Sequence, residues 1–423
     1  MQQKPWKLIS LNACWLGLSF MWNSLHVILL PAVLLMYINP ERKNTVLGLL
    51  TGAGLLIAMI VQPVAGAISD RWSSRWGRRR PMILIGTTVD LLFLGILGFA
   101  GGLPGIVIGY IGLQFSSNFA HAPMQGLLPD MLPKEQLGRG SGYKNVFDML
   151  GLVLASIVMG RLVSPNAVQM GGPVGLIIAA LVASVAITLI WTRERSTAGQ
   201  VPASRAGVFQ ELAGIDLKKN LAFAWLIASR LVFLLGVYGI QAFAQYYVRD
   251  TLPSVNPVEL TGNLMATIVL ALIACALLGG FASDRIGSRP VHVLAAVLVA
   301  SGSLLMVAAH TASMVLVSGL VIGSGIGFFL TANWALATQL APTDQAGKYL
   351  GLTNLATAGA GALSRLFGPV IDGVNAAHPG RFLGYPVLFV SSAVFALAGL
   401  LLLGKVFSAR KKSLALGGEE QAA

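Results

Sequence analysis

The chain has 423 residues, of which 55% are hydrophobic and 11% charged, against roughly a quarter charged in an ordinary soluble domain. A net charge of +13 invites a nucleic-acid reading, but the lysines and arginines follow the turns between apolar runs and form no single basic patch. No metal-ligand spacing, phosphate-cradling glycine loop or nucleophile elbow occurs, so nothing supports a resident metal or cofactor, ATP-driven pumping or covalent catalysis; the chain reads as a membrane protein and not as an enzyme.

Apolar runs of about 20 residues, the length needed to cross hydrocarbon, place twelve transmembrane helices near 8–36, 45–68, 81–101, 104–127, 143–163, 173–192, 221–247, 259–282, 290–310, 313–338, 349–374 and 383–406. The first carries Asn12, Asn23 and His26; it is too long and polar for a removable signal sequence and is expected to stay as span 1. Cys14 and Cys275 fall inside spans and read as buried thiols. Of the 29 Lys and Arg residues, Arg42, Lys43, Arg161, Arg249 and Arg381 lie on one side, Arg230 and Arg365 fall inside the membrane, and all others share the opposite side. Positive charge accumulates on the inner face, so both termini are expected in the cytoplasm of a plasma or inner membrane.

Polar residues inside spans are costly unless used or partnered, so they mark candidate sites. Span 1 offers Trp22, Asn23 and His26; span 4 offers Gln114, Asn118, His121 and Gln125 at i, i+4, i+7 and i+11, one face of a helix. Span 7 carries Arg230, Tyr238, Gln241 and Gln245, span 10 Asn333 and Trp334, and span 11 Asn354, Arg365 and Asp372. The two arginines suit an anion, because a guanidinium forks onto carboxylate or phosphate. Candidate proton carriers are His26, Asp90, His121, Asp148 and Asp372. Gly323, Gly325 and Gly327 follow no strand and are read as close helix packing.

A polar segment over 193–220 divides six spans from six, and the halves repeat each other. Gly66 to Pro81 (GAISDRWSSRWGRRRP) returns in shortened form as Gly280 to Pro290 (GFASDRIGSRP). Pro133, Gln136, Gly138, Gly142 and Asn145 return as Pro342, Gln345, Gly347, Gly351 and Asn354. The organisation expected is residues 1–195 as one six-helix bundle, 196–219 as linker, 220–408 as the second bundle and 409–423 as a tail.

Ser69-Asp70-Arg71 through Arg80-Pro81 resembles the loop between helices 2 and 3 of major facilitators. That resemblance implies an all-α fold of twelve spans in two pseudo-repeats. It also implies a gating motif of Gly66, Asp70, Arg71, Gly77, Arg78, Arg79 and Asp130, echoed by Asp284, Arg285 and Arg289. Asp70 would sit against the start of helix 11 and Asp284 against helix 5, where an anion meets a helix dipole. Phe20, Trp22 and Pro31, with Asn118, Pro123, Leu127, Leu128 and Asp130, are similar to sucrose/proton symporters and the glycoside-pentoside-hexuronide branch. The family's helix 4 Arg is Gln125 here, its Gln is His121, and one of its cation-binding acids is Gln62.

These readings imply a monomeric secondary transporter of a small polar, sugar-like molecule. It would be coupled to protons, move by alternating access, contact membrane lipids and bind no nucleic acid. The alternatives are an organic anion exchanger using Arg230 and Arg365, a multidrug-type efflux carrier, and a receptor that transports nothing.

Overall fold

The computed structural model describes residues 4–164, 169–192, 194, 196–198, 220–253, 255–342 and 346–420. Among these the chain forms twelve long helices and no strand, the solution a backbone adopts where it must satisfy its own hydrogen bonds away from water. In chain order they are α1 (Pro5–Leu34), α2 (Lys43–Arg71), α3 (Arg80–Phe99), α4 (Gly102–Met131), α5 (Leu137–Leu162) and α6 (Gly171–Trp191). The second six are α7 (Leu221–Thr251), α8 (Pro257–Ile286), α9 (Ser288–Val307), α10 (Ala312–Leu340), α11 (Ala346–Ser364, resumed over Phe367–Ala377) and α12 (Gly384–Glu420). Ten are long and apolar enough to cross a membrane on composition alone. The other two, α4 and α11, carry polar rows.

The described residues form two compact units, 4–198 with 256–266 and 220–255 with 267–420. In the first, α1 packs on α5 and α6, α3 on α4 and α6, and α2 on α4. In the second, α7 packs on α11 and α12, and α9 on α10 and α12. Pairings of the first unit thus reappear six helices later, the packing counterpart of the repeated sequence motifs. Gly323 and Gly327 seat α10 on α8: a Cβ on the first would stand 2.8 Å from Ile268 Cα, and on the second 2.9 Å from the Ala276 nitrogen. The glycine run is therefore a helix-packing device.

Three features differ from uninterrupted spans. In α1, Ser24–Leu29 is a π-helical turn in which the Leu30 N–H reaches back to the Leu25 carbonyl. Pro31 follows, and its missing N–H cannot serve the preceding turn. In α11, Pro369 has no N–H to give the Arg365 carbonyl, which takes the Gly368 N–H at 3.1 Å instead. The helix breaks there, so the uninterrupted spacing that put Arg365 and Asp372 on one face does not carry across. Finally, α5 begins at Leu137, not near 143, which sets Lys144 two turns inside the helix.

Candidate functional site

Arg78 and Arg79 of the loop motif are paired within the first unit. Arg79, at the start of α3, spans the gap between the end of α2 and the end of α4. Its guanidinium meets Asp70 at 2.5 Å and Asp130 at 2.8 Å and donates to Ser69 Oγ at 3.0 Å. Arg78 adds a second fork onto Asp130, at 2.5 and 3.0 Å. Charge-assisted bonds of this kind are the strong ones, and a planar fork lets one side chain serve several acceptors. Helix 11, expected from 349 to start against Asp70, begins at Ala346, and the side chains of 343–348 lie outside the described residues. The second copy of the motif is barer. Asp284, Arg285 and Arg289 are exposed, and Arg289 lies 5.9 Å from the Phe407 ring centroid.

Glu194 completes the loop from the far side of α6. Its carboxylate accepts the N–H groups of Arg79 and Arg80 at 3.0 and 2.9 Å and so caps α3. Gly77, at φ +93°, lies against the same carboxylate and leaves no room for a Cβ. Thr197 then donates its N–H to the Ser74 carbonyl at 3.1 Å. Burial pushes the Glu194 carboxyl above its ordinary range despite the two amide donors. The folded chain therefore holds more protons than the unfolded one between the ordinary and raised values, and this group's contribution to stability falls as pH rises through that window. Glu194→Gln is expected to flatten that dependence, and Glu194→Ala to cost about 1 kcal/mol through the lost cap. Thermal unfolding across pH checks both.

Deeper in the first unit, polar groups from three helices join in one relay. The Trp22 and His26 rings stack with centroids 5.0 Å apart. The widened turn of α1 sets His26 Nε2 at 2.9 Å from the Tyr110 hydroxyl of α4. Gln114 donates to that hydroxyl at 2.7 Å, and Asn118 donates to Gln114 Oε1 at 3.1 Å. Gln62 of α2 reaches Asn118 Oδ1 at 3.4 Å. Further along α4, Gln125 meets His121 at 2.9 Å, and His121 stands edge-on to Trp15 at 5.1 Å. Lys144 of α5 lies 4.1 Å from the Trp15 ring centroid and 3.4 Å from Asp148.

The helix 4 residues expected on one face thus form two hydrogen-bonded groups, Gln114 with Asn118 and His121 with Gln125, and the first extends one turn further to Tyr110. Tyr110, Lys144 and Trp15 were missed. Tyr110 was legible as the next residue of the i, i+4 series, whereas the other two meet only across helices. Other expected members lie apart. Asn23 donates back to the Ser19 carbonyl of its own helix at 2.8 Å. Asp90, 1% exposed, accepts from Ser116 at 2.5 Å and ties α3 to α4.

The second unit gathers a different set. Arg230, 7% exposed, donates from Nε to Thr357 at 2.9 Å and from Nη1 to Asn333 Oδ1 at 2.8 Å. Phe233 and Phe329, one turn away, stack at 3.7 Å. Arg365 donates to the Tyr238 carbonyl at 3.3 Å, and Asp372 is buried beyond the break in α11. Gln241 is half-buried, while Trp334 and Asn354 are exposed. Among the described residues no group of three His, Cys, Asp or Glu could hold a metal.

The chain resembles known carriers along its length. It is 31% identical over 100 residues to the rice sucrose transport protein SUT1, covering 18% of this chain and 19% of that one. It is 23% identical over 300 residues to the glucuronide carrier protein homolog of Escherichia coli strain K12, covering 68% and 64%. Each match spans less than two thirds of the relative's length. In fold it is similar to the nucleoside transporter NupG, with a TM-score of 0.73 at 15% identity over 94% of this chain and 99% of that one. These proteins are transporters and not enzymes. The model of the Major Facilitator Superfamily matches residues 15–364 and 254–422, and the chain belongs to that superfamily.

Proposed function

We propose that this chain is a secondary transporter of a small polar, sugar-like solute, coupled to protons and working by alternating access between its two bundles. The supporting observation is the first-unit relay from His26 through Tyr110, Gln114 and Asn118 to Gln62, with the Trp22 ring stacked at one end. A hydroxylated ring needs mixed donors and acceptors on one side and an apolar face on the other, and few rigid sites present both. The names of two relatives, a sucrose transport protein and a glucuronide carrier homolog, favour the same class. His26, His121 and Asp148 are the proton carriers proposed. Both termini would face the cytoplasm, and the chain would act as a monomer among lipids of the cell membrane.

Uptake of labelled glycosides into proteoliposomes, with and without an imposed pH gradient, tests the proposal. Saturable uptake is expected, accelerated when the outside is acidic. Uptake of no glycoside would overturn the sugar reading, and uptake indifferent to the gradient would overturn proton coupling.

A further inference from the structure

We infer that the cargo carries an oxyanion, a carboxylate or phosphate, received in the second unit by Arg230, which Asn333 positions. This rests on the sugar-like reading above and narrows it to acidic sugars.

The observation is an excess of donors. Arg230 has five N–H groups, and the structure uses one from Nε and one from Nη1. Both acceptors are neutral, and among the described residues no carboxylate pairs with this guanidinium. The Thr357 hydroxyl, which accepts from Nε, gives its own proton to the Thr353 carbonyl at 2.9 Å. It has no further donor to contribute and adds no charge. Asn333 accepts through Oδ1, which fixes the amide with Nδ2 turned away, and Nδ2 is buried without a partner. Three guanidinium N–H groups therefore have no acceptor among the described residues, and neither has the Asn333 NH₂ on the other side of its amide.

A buried charge without a counter-charge and a buried donor without an acceptor are each unfavourable. A bound oxyanion supplies the guanidinium with the missing counter-charge and accepts its unused N–H groups, because each oxygen takes more than one hydrogen bond. The Phe233 and Phe329 stack, three residues from Arg230 and four from Asn333, walls this corner with apolar surface. A solute with a ring and one acidic group would place the acid here.

The test measures binding to the purified full-length protein. The probes are D-glucuronate, its uncharged methyl ester, D-glucose 6-phosphate and inorganic phosphate. The acid or the sugar phosphate should bind at least about tenfold more tightly than the ester, and whichever is tighter identifies the oxyanion. Asn333→Asp puts a carboxylate beside the guanidinium, and both it and Arg230→Gln should erase that preference. Equal binding of acid and ester, survival of the preference in Asn333→Asp, or no binding of any anion would each overturn the inference. Binding of inorganic phosphate, lost in Asn333→Asp, with no sugar bound, would keep the anion site and overturn the sugar reading.

Discussion

Replacing Arg79 by alanine is expected to abolish transport and destabilise the purified protein by roughly 1.5–3 kcal/mol, the usual cost of losing hydrogen bonds to charged groups. Arg79 holds the ends of α2 and α4 together through Asp70, Ser69 and Asp130, with its side chain 7% exposed. Without it Asp130 keeps only the more exposed Arg78 fork, and Ser69 and Asp70 lose the partner that fixes the end of α2. Arg79→Lys should recover only part of the loss, because a point charge cannot fork onto two carboxylates and a hydroxyl together. Arg75→Ala is the control. Arg75 is exposed on the same loop, and a surface charge of that kind contributes little. Wild-type unfolding and uptake in Arg79→Ala would show that the loop's charges set sidedness alone.

The bundle and the helix 4 row were legible because each is a one-dimensional pattern. Length of apolar run sets a span, and spacings of four, three and four set a face. The same logic would have added Tyr110, whose ring alone makes it look like core, and Pro369, which sits four residues after Arg365 and so predicts the break in α11. What could not be read is any pairing between helices far apart in sequence. Arg230 was expected to find a carboxylate or cargo, but its protein partners are Asn333 and Thr357, two neutral residues on other helices. Lys144 was counted with the charges of the inner side, and only the structure sets it beside Trp15 and Asp148.

The second large effect is expected in the relay. The Tyr110 hydroxyl holds His26 at 2.9 Å and Gln114 at 2.7 Å, so it fixes the orientation of both groups proposed to meet the cargo. Its removal in Tyr110→Phe leaves an imidazole and a carboxamide to reorient. At about 1–3 kcal/mol for an unsatisfied buried group, the half-saturation concentration for cargo should rise roughly 10- to 100-fold. His26→Ala removes a hydrogen-bonding group and the Trp22 stack together, and its loss should be at least as large. His26→Gln separates the two roles of that residue. A carboxamide still reaches the Tyr110 hydroxyl but cannot exchange a proton near neutral pH. Counterflow, which needs no gradient, should therefore persist in His26→Gln while acceleration of uptake by an acidic exterior disappears. If that acceleration survives in His26→Gln and disappears in His121→Gln, the proton is carried beside Trp15 and not at the widened turn of α1. Survival in both would leave Asp148 as the remaining proposed carrier in the first unit.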